Sequence, residues 1–293
     1  MLDLIPQNRQ ELIPNWPTYF NRKLNHEHNV SIHGVSIQFR VSEAKLTEEL
    51  KNFFPKTWQR VQGSPIVIDW VSPKNGADWD NVIDPNCIFA EDYVSQRDFL
   101  TRQVSKSHYQ LMAPYKIDDG FFNFLRFLIP GELLNEGKIL FHSSCVVNKQ
   151  GEAFVFFGPS GAGKTTIAQL CQSAGGNILG DDMNLIYVQQ GKLFVEAATV
   201  GQRFFSINNF GKRYPVKKLF WIKKSSHFSV DFSVENTLSI YLSSFANLFW
   251  NGLGEEGYQQ VFRILQEFRK AKAVNVLNFA KEERVWGYVQ GIK

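Results

Sequence analysis

The hydrophobic and polar positions divide the chain into two parts of different character. Up to about residue 118, short apolar runs separated by turn-forming residues predict several strands. A hairpin is predicted over Val30–Arg40, with its turn near Gly34. Further strands are predicted at Pro65–Val71 and as a pair within Arg97–Met112, whereas Ser72–Pro85, which is rich in Pro, Asn, Gly and Asp, is predicted to be a loop.

Helical periodicity occurs at two places before the middle of the chain. Thr47–Phe54 predicts a short helix with Thr47 as its N-cap. In Gly120–Leu134 the apolar residues recur at helical spacing, which predicts a longer helix. The change of pattern predicts a domain boundary nearby, with a smaller α+β domain over residues 1–118 and a second domain over residues 119–293.

The second domain alternates strands with helices, which is typical of an α/β fold. Strands are predicted at Lys138–Val147, Glu152–Phe157, Asn177–Gly180, Lys217–Ile222 and Val274–Phe279. Helices are predicted at Thr165–Ser173, Val234–Trp250, Glu255–Lys270 and Glu282–Val289. The turn sequence Asn148-Lys149-Gln150-Gly151 separates the first two strands, so these strands are predicted to form a hairpin.

Composition narrows the class of protein. The net charge of +4 suits acidic ligands such as phosphates but is too small an excess to indicate nucleic-acid binding. The cysteines Cys87, Cys145 and Cys171 lie far apart without metal or redox spacing, so free thiols in a reducing compartment are expected. The N-terminus lacks the features of a signal peptide, and no apolar run approaches the roughly 18–20 residues of a membrane span. We therefore expect a cytoplasmic protein that binds neither nucleic acid nor membrane.

A phosphate-binding loop is the most specific chemical signal in the chain. The segment Gly158-Pro159-Ser160-Gly161-Ala162-Gly163-Lys164-Thr165 matches the pattern G-x-x-x-x-G-K-[ST] and lies between a predicted strand and a predicted helix. Glycines let backbone N–H groups turn inward around phosphates, and the helix N-terminus adds the positive end of its dipole. Lys164 is expected to neutralise the β- and γ-phosphates of ATP or GTP, Thr165 to offer its hydroxyl to Mg²⁺, and Thr166 to complete the nucleotide-binding segment.

His142 gains importance from the predicted hairpin, because a histidine on a strand is by itself more often structural than functional. If the hairpin turns about Lys149–Gln150, residues whose numbers sum to roughly 299 lie opposite each other. This register places His142 beside Phe157, immediately before Gly158, and so at the mouth of the phosphate loop. Cys145 lies deeper in the same strand and is expected to be a core thiol.

Two adjacent carboxylates, Asp181 and Asp182, follow the short strand that comes after the loop's helix. In open α/β sheets ligands bind at the carboxyl ends of strands. One carboxylate could hold Mg²⁺, directly or through water, while the other takes a proton from an attacking hydroxyl. The alternative is a polar turn that closes a strand, but Lys164 is close enough in sequence to favour the functional interpretation.

These elements together resemble the HPr kinase/phosphorylase family and its relatives. The resembling segments are Leu140–Val147, Gly158–Thr166 and Gly180-Asp181-Asp182, and Pro215–Phe249 is similar to the strand and helix that follow the relatives' active site. The loop also resembles that of phosphoenolpyruvate carboxykinase, which shares the fold. Residues 1–118 resemble, loosely, the N-terminal regions of HPr-kinase-like proteins found beside peptide-modification systems. The resemblance implies a P-loop kinase domain with a mixed sheet over residues 119–293, an N-terminal recognition domain over residues 1–118, and a possible homo-oligomer.

The resemblance also implies a role for each matching residue. His142 matches the family's active-site histidine, which interacts with the catalytic acid, and Asp182 matches the general base that activates the acceptor hydroxyl. Lys164 matches the P-loop lysine and Thr165 the metal-binding Ser/Thr, while Asp181 matches the neighbour near the metal.

One part of the family pattern is missing. The bifunctional enzymes carry a Glu followed by an Ile-Arg-Gly segment, which helps to hold metal and supports the reverse reaction. The corresponding region here is Val195–Arg203, in which Glu196 has a different spacing and Arg203 could contact phosphate or acceptor. Neither HPr as the substrate nor the reverse phosphorylase reaction is therefore expected from the resemblance.

Three functions remain open from the sequence. The first is an ATP- or GTP-dependent kinase for a Ser/Thr hydroxyl of a peptide or protein, which the long N-terminal region favours. The second is a kinase for a small molecule such as free serine, and the third is a non-catalytic nucleotide-binding regulatory module, which the presence of both His142 and the Asp pair disfavours. A carboxykinase is disfavoured because those enzymes are nearly twice as long. A switch GTPase is disfavoured because the guanine-reading Asn-Lys-x-Asp motif does not occur.

Overall fold

The chain folds into two structural units, Met1–Ile129 and Pro130–Lys293. The computed structural model describes residue 5 and residues 7–54, 63–72, 88–96, 98–198, 209, 211–232 and 254–292. The predicted helix Val234–Trp250 and most of the predicted loop Ser72–Pro85 lie outside these residues.

The first unit contains a seven-stranded sheet and short helices. Its strands are β1 (His26–Ile32), β2 (Val35–Val41), β3 (Ile66–Val71), β4 (Ile88–Ala90), β5 (Tyr93–Gln96), β6 (Phe99–Ser105) and β7 (His108–Met112). Its helices are α1 (Gln7–Gln10), α2 (Trp16–Phe20), α3 (Ala44–Phe53) and the beginning of α4 (Asp119–Asn135). The sheet order is β1-β2-β3-β7-β6-β5-β4, with β2, β3 and β7 parallel and the other neighbours antiparallel.

Aromatic side chains form the contact between this sheet and α4. The Phe121 ring centroid lies 5.7 Å from that of Phe39 and 5.4 Å from that of Trp70, and all three side chains are fully buried. Large buried rings contribute much apolar area, which is the main favourable term in folding. The abundance of Phe in the sequence is thus accounted for in part by this core.

The second unit contains an eight-stranded mixed sheet and three helices besides the end of α4, among the residues that are described. Its strands are β8 (Lys138–Val147), β9 (Ala153–Phe157), β10 (Asn177–Gly180), β11 (Met183–Gln189), β12 (Lys192–Ala197), β13 (Arg213–Lys224), β14 (Ser229–Asp231) and β15 (Val274–Phe279). Its helices are α5 (Lys164–Ser173), α6 (Gly254–Ala271) and α7 (Val285–Gly291).

The strand pairings of the second unit explain the mixed character of its sheet. β8 is antiparallel to β9 along one edge and to β10 and β11 along the other. β13 lies between β9 and β15 and is parallel to both, while β12 joins β11 to the beginning of β13. The predicted α/β fold with a mixed sheet is therefore confirmed.

The helix α5 is held against this sheet by a buried apolar cluster. Ile167 and Ala168 of the helix pack with Phe156, Phe220 and other residues of β9, β13 and β15. The rings of Phe156 and Phe220 are stacked with centroids 5.7 Å apart. This packing fixes the position of the helix N-terminus relative to the end of β9.

Most predicted elements are present, but the bounds of several need correction, including the last helix, which begins at Val285 instead of Glu282. The helix predicted from Thr47 begins at Ala44, and Thr47 lies buried within it rather than capping it, because Leu46, Thr47 and Leu50 form its buried face. The strand predicted at Lys217–Ile222 is longer at both ends and spans Arg213–Lys224. The hairpin formed by β11 and β12 was not predicted at all, since its apolar run shows no clear alternation.

Candidate active site

The hairpin formed by β8 and β9 has a register that differs by one residue from the prediction. Ser143, not His142, pairs with Phe157. The shift arises in the turn, where the side chain of Asn148 accepts hydrogen bonds from the backbone N–H groups of Gln150 at 3.0 Å and Glu152 at 2.9 Å. The backbone N–H of Asn148 also donates to the carbonyl of Glu152 at 3.0 Å, so the turn contains three residues instead of the predicted two. His142 therefore lies one residue beyond Ser143–Phe157, the pair farthest from the turn.

His142 is positioned along the edge of β8 that is opposite to β9. There it pairs with Met183 of β11, and the pair Asp181-Asp182 lies between β10 and β11 along the same edge. The backbone N–H of Ser143 donates to the carbonyl of Asp182 at 3.0 Å. As a result His142 Nε2 lies 3.0 Å from Asp182 Oδ1, and both side chains remain partly exposed.

A buried amide holds the backbone around the two aspartates. Asn184 Nδ2 donates to the carbonyl of Ser143 at 2.7 Å, to its hydroxyl at 3.1 Å and to the carbonyl of Gly180 at 3.4 Å. Asn184 is fully buried. The sequence interpretation missed this residue, although a lone amide inside the apolar run Met183–Val188 is a detectable signal, since buried polar groups must be hydrogen-bonded.

The phosphate loop connects the end of β9 to the beginning of α5. Gly161 and Gly163 adopt positive φ values of 76° and 102°, which glycine adopts without steric cost. A Cβ atom at Gly158 would lie 3.0 Å from Cβ of Ala162, so the loop closes tightly on itself. The helix begins at Lys164, which places unpaired N–H groups and the positive dipole end at the loop.

The side chain of Lys164, the first residue of α5, reaches back into this loop. Its Nζ donates to the carbonyls of Gly158 at 2.9 Å and Pro159 at 3.2 Å. Burial lowers the pKa of Lys164, and the negative charge of Asp182 opposes that shift. The hydroxyl of Ser144 donates to the carbonyl of Lys164 at 2.8 Å, which ties the first turn of α5 to the strand that carries His142.

His142, Lys164 and the two aspartates line one cavity of about 490 Å³. Its lining consists of His142, Ser160, Gly161, Gly163, Lys164, Thr165, Thr166, Asp181, Asp182 and Lys224. Of the predicted site residues, Gly158, Pro159 and Ala162 belong to the loop but not to this lining. Lys224 also lines the cavity, although the sequence interpretation did not single it out. Its strand was predicted to end two positions earlier, at Ile222.

The donor set fits a nucleotide phosphate chain with Mg²⁺. Backbone N–H groups, a helix N-terminus and Lys164 suit phosphate oxygens, whereas Thr165 and Asp181 offer the hard oxygens that Mg²⁺ prefers. No group of three His, Cys, Asp or Glu that could hold a metal occurs among the described residues. Mg²⁺ commonly takes only one or two carboxylates and completes its octahedron with phosphates and water, so this donor set is sufficient.

Other residues noted in the sequence lie elsewhere. Glu196 accepts a hydrogen bond from the hydroxyl of Tyr187 at 2.7 Å within the hairpin of β11 and β12, and it is not in the cavity lining. Arg203 lies outside the described residues. Cys145 and Cys171 are buried free thiols, and burial raises the pKa of both.

The fold and the site define a P-loop nucleotide-binding α/β unit. Residues 114–195 match the family model of phosphoenolpyruvate carboxykinase. This segment covers less than a third of the chain but contains His142, the whole phosphate loop and both aspartates. The match supports the predicted likeness to phosphoenolpyruvate-carboxykinase-like P-loop proteins, a class that indicates nucleotide-dependent phosphotransfer.

A similar solved structure is the Hpr(Ser) kinase/phosphatase from Coxiella burnetii, with 8% sequence identity and a TM-score of 0.28. The alignment covers 52% of this chain and 91% of that one. Similarity at this level is too loose to support a functional assignment. No curated protein sequence matches this chain. Among the described residues, no helix is both long and apolar enough to cross a membrane.

Proposed function

We propose that this protein is a kinase that transfers the γ-phosphoryl group of ATP or GTP to a Ser/Thr hydroxyl of a peptide or protein. The observation that carries the proposal is the His142–Asp182 contact at 3.0 Å in the same cavity as Lys164. A carboxylate that can take a proton therefore lies beside a loop built for phosphates, which is the combination that transfer to a hydroxyl requires.

The proposed reaction uses few groups, each with one role. Asp182 takes the proton of the acceptor hydroxyl, the acceptor oxygen forms a bond to the γ-phosphorus, and the bond from phosphorus to the β–γ bridging oxygen breaks as the nucleoside diphosphate leaves. His142 holds the Asp182 carboxylate in position through their contact. Lys164 and the loop N–H groups neutralise the charge on the phosphates.

Thr165 and Asp181 are the residues that would hold Mg²⁺ in this proposal. The ion supplies charge neutralisation at the β- and γ-phosphate oxygens. Both residues line the cavity, and Asp181 is only 2% exposed.

The acceptor is proposed to be a peptide or protein because the chain carries a separate N-terminal unit. We assign residues 1–118, which lie within the first unit, to recognition of that acceptor, and residues 119–293, which include the whole second unit, to the kinase reaction. The likeness of the N-terminal part to regions beside peptide-modification systems supports this division of roles. A small-molecule acceptor remains an outcome that the experiment below distinguishes.

The test combines a substrate screen with one isosteric variant. Purified protein is incubated with Mg²⁺ and γ-labelled ATP or GTP, first with a Ser/Thr peptide library and then with a pool of small hydroxylated metabolites that includes serine. Label is expected in peptides. The Asp182→Asn variant is expected to lower the transfer rate by about 10²–10⁴-fold while it still binds nucleotide.

Three results would change the conclusion. Label in metabolites alone would replace the peptide acceptor by a small molecule. Undiminished transfer by the Asp182→Asn variant would remove the proposed base. Tight nucleotide binding without any transfer or hydrolysis would identify a non-catalytic nucleotide-binding module.

A further inference from the structure

A second lysine, Lys224, lies in the wall of the cavity that contains Lys164. It is the last residue of β13 and its side chain is exposed. The phosphate-loop pattern does not include it, and the resemblance assigns it no role. Its position is nevertheless defined by three features of the fold.

The first feature is the parallel pairing of β13 with β9. Trp221 pairs with Phe157, so the next residues of β13 run beside the phosphate loop. A Cβ atom at Gly158 would lie 3.3 Å from the carbonyl oxygen of Ile222. Side chains two positions apart on a strand share a face, so Lys224 continues the face of Ile222, which packs with the α5 cluster.

The second feature is the contact at Gly163, the residue directly before Lys164. A Cβ atom at Gly163 would lie 3.5 Å from Cε of Lys224 and 3.0 Å from Cζ of Phe279. The stem of Lys224 therefore lies across the last residue of the loop, where glycine leaves room for it. This location is at the N-terminus of α5, where an anion is favoured.

The third feature is the support of the Lys224 backbone. Lys224 pairs with Phe279 of β15, and the N–H of the following Ser225 donates to the carbonyl of Phe279 at 2.9 Å. The sheet thus fixes the Cα position of an exposed cation beside the loop. Among the residues that the structure describes, no carboxylate forms an ion pair with Lys224.

We propose that Lys224 binds the phosphate chain of the nucleotide as a second cation beside Lys164. This inference rests on the proposed nucleotide-binding function of the cavity. Lys164 contacts the loop carbonyls from within, whereas Lys224 approaches the same loop from the end of the neighbouring strand. Its ammonium adds attraction for phosphate and none for an uncharged nucleoside.

The experiment measures binding by calorimetry with three probes in the presence of Mg²⁺: inorganic tripolyphosphate, ATP or GTP, and the corresponding nucleoside. The Lys224→Met variant keeps the apolar stem and removes the charge, and Lys224→Arg keeps the charge. Lys223→Met is the matched control, because Lys223 is the adjacent exposed lysine of β13 and is not in the cavity lining.

Lys224→Met is expected to weaken binding of tripolyphosphate and of the nucleotide about tenfold, the effect of losing one charge-assisted contact. Added salt should shrink the difference. Lys224→Arg and Lys223→Met are expected to bind like the unchanged protein. Equal binding of tripolyphosphate by Lys224→Met and the unchanged protein would overturn the inference, and so would an equal loss for nucleoside and triphosphate.

The proposed kinase function and this inference fail in different ways. If the unchanged protein transfers phosphate and Lys224→Met binds tripolyphosphate normally, only the role of Lys224 is wrong. If tripolyphosphate binding depends on Lys224 but no acceptor is phosphorylated, the inference stands and the kinase function fails. If the unchanged protein binds neither tripolyphosphate nor nucleotide, both are wrong.

Discussion

His142 Nε2 lies 3.0 Å from Asp182 Oδ1, and the adjacent backbone bond from Ser143 N–H to the Asp182 carbonyl, also 3.0 Å, holds the same two chain segments together. The side-chain contact is therefore built on a strand pairing rather than on a flexible loop. The imidazole engages Oδ1 of Asp182 and so orients the carboxylate. This relationship leads to the first prediction.

Replacement of His142 by alanine should lower phosphoryl transfer on the order of a hundredfold, because an unheld Asp182 carboxylate leaves the geometry needed for proton removal. Nucleotide affinity should change little. The measurement is single-turnover transfer for His142→Ala, Asp182→Asn and the double variant. If His142 acts through Asp182, the double variant should be no slower than Asp182→Asn. A full additional loss in the double variant would show an independent role for the histidine.

Replacement of Asn184 by leucine should lower the free energy of unfolding by about 1–3 kcal/mol. The cause is the loss of the amide donors to the carbonyls of Ser143 and Gly180, which would remain buried. Urea unfolding of the second unit measures the change. Asn177→Leu is the control, since Asn177 is exposed at the beginning of β10 and should shift the midpoint little. Equal effects of the two changes would contradict a structural role for the Asn184 amide.

Replacement of Gly163 by alanine should weaken nucleotide binding more than replacement of Gly161. Both residues have positive φ, so both variants have backbone strain of about 1–2 kcal/mol. At Gly163 the new Cβ would also lie 3.0 Å from Cζ of Phe279, whereas at Gly161 no atom lies within 4 Å. Calorimetric titration of nucleotide into the two variants separates the steric effect from the strain. A larger loss for Gly161→Ala would contradict the close approach at Gly163.

The contribution of Cys171 to stability should decrease in alkaline solution. Burial raises its pKa from 9.0 to about 12, so between these values the unfolded chain releases the thiol proton while the folded chain keeps it. The stabilising contribution is therefore complete below 9.0 and is lost as the pH rises towards 12. The difference in unfolding free energy between the unchanged protein and Cys171→Ala should shrink between about pH 8 and about pH 10, by at most about 1.4 kcal/mol per pH unit. For the exposed neighbour, Gln172→Ala, a constant difference is expected.

Several elements could be predicted because their signals are local. The phosphate loop, its preceding strand and its following helix depend on glycines and an apolar run within one short segment, and the structure has all of them. The hairpin from Lys138 was also predicted, but its register was wrong by one residue. The turn length depends on the Asn148 side chain and its bonds to Gln150 and Glu152, which strand periodicity does not reveal.

The groups that were missed depend on contacts between distant segments. Asn184 belongs to a strand whose apolar run shows no alternation, so its partners became apparent only with the pairing of β8 and β11. Lys224 reaches the loop because β13 is parallel to β9, and no local pattern specifies which strands are neighbours. The resemblance predicted that His142 interacts with Asp182. It did not predict the pairing of β8 with β11, which brings the two residues together.

By itself, the sequence determined that this protein has a phosphate-binding loop with a lysine and a threonine at a helix N-terminus, and that two carboxylates follow. These properties are local, because glycine conformations and the strand–loop–helix order are set within about twenty residues of each other. Only the tertiary structure decided which groups share the cavity with Lys164. Side chains such as His142, Asn184 and Lys224 come together through strand pairings between remote segments, whose register and order are fixed by packing of the whole sheet.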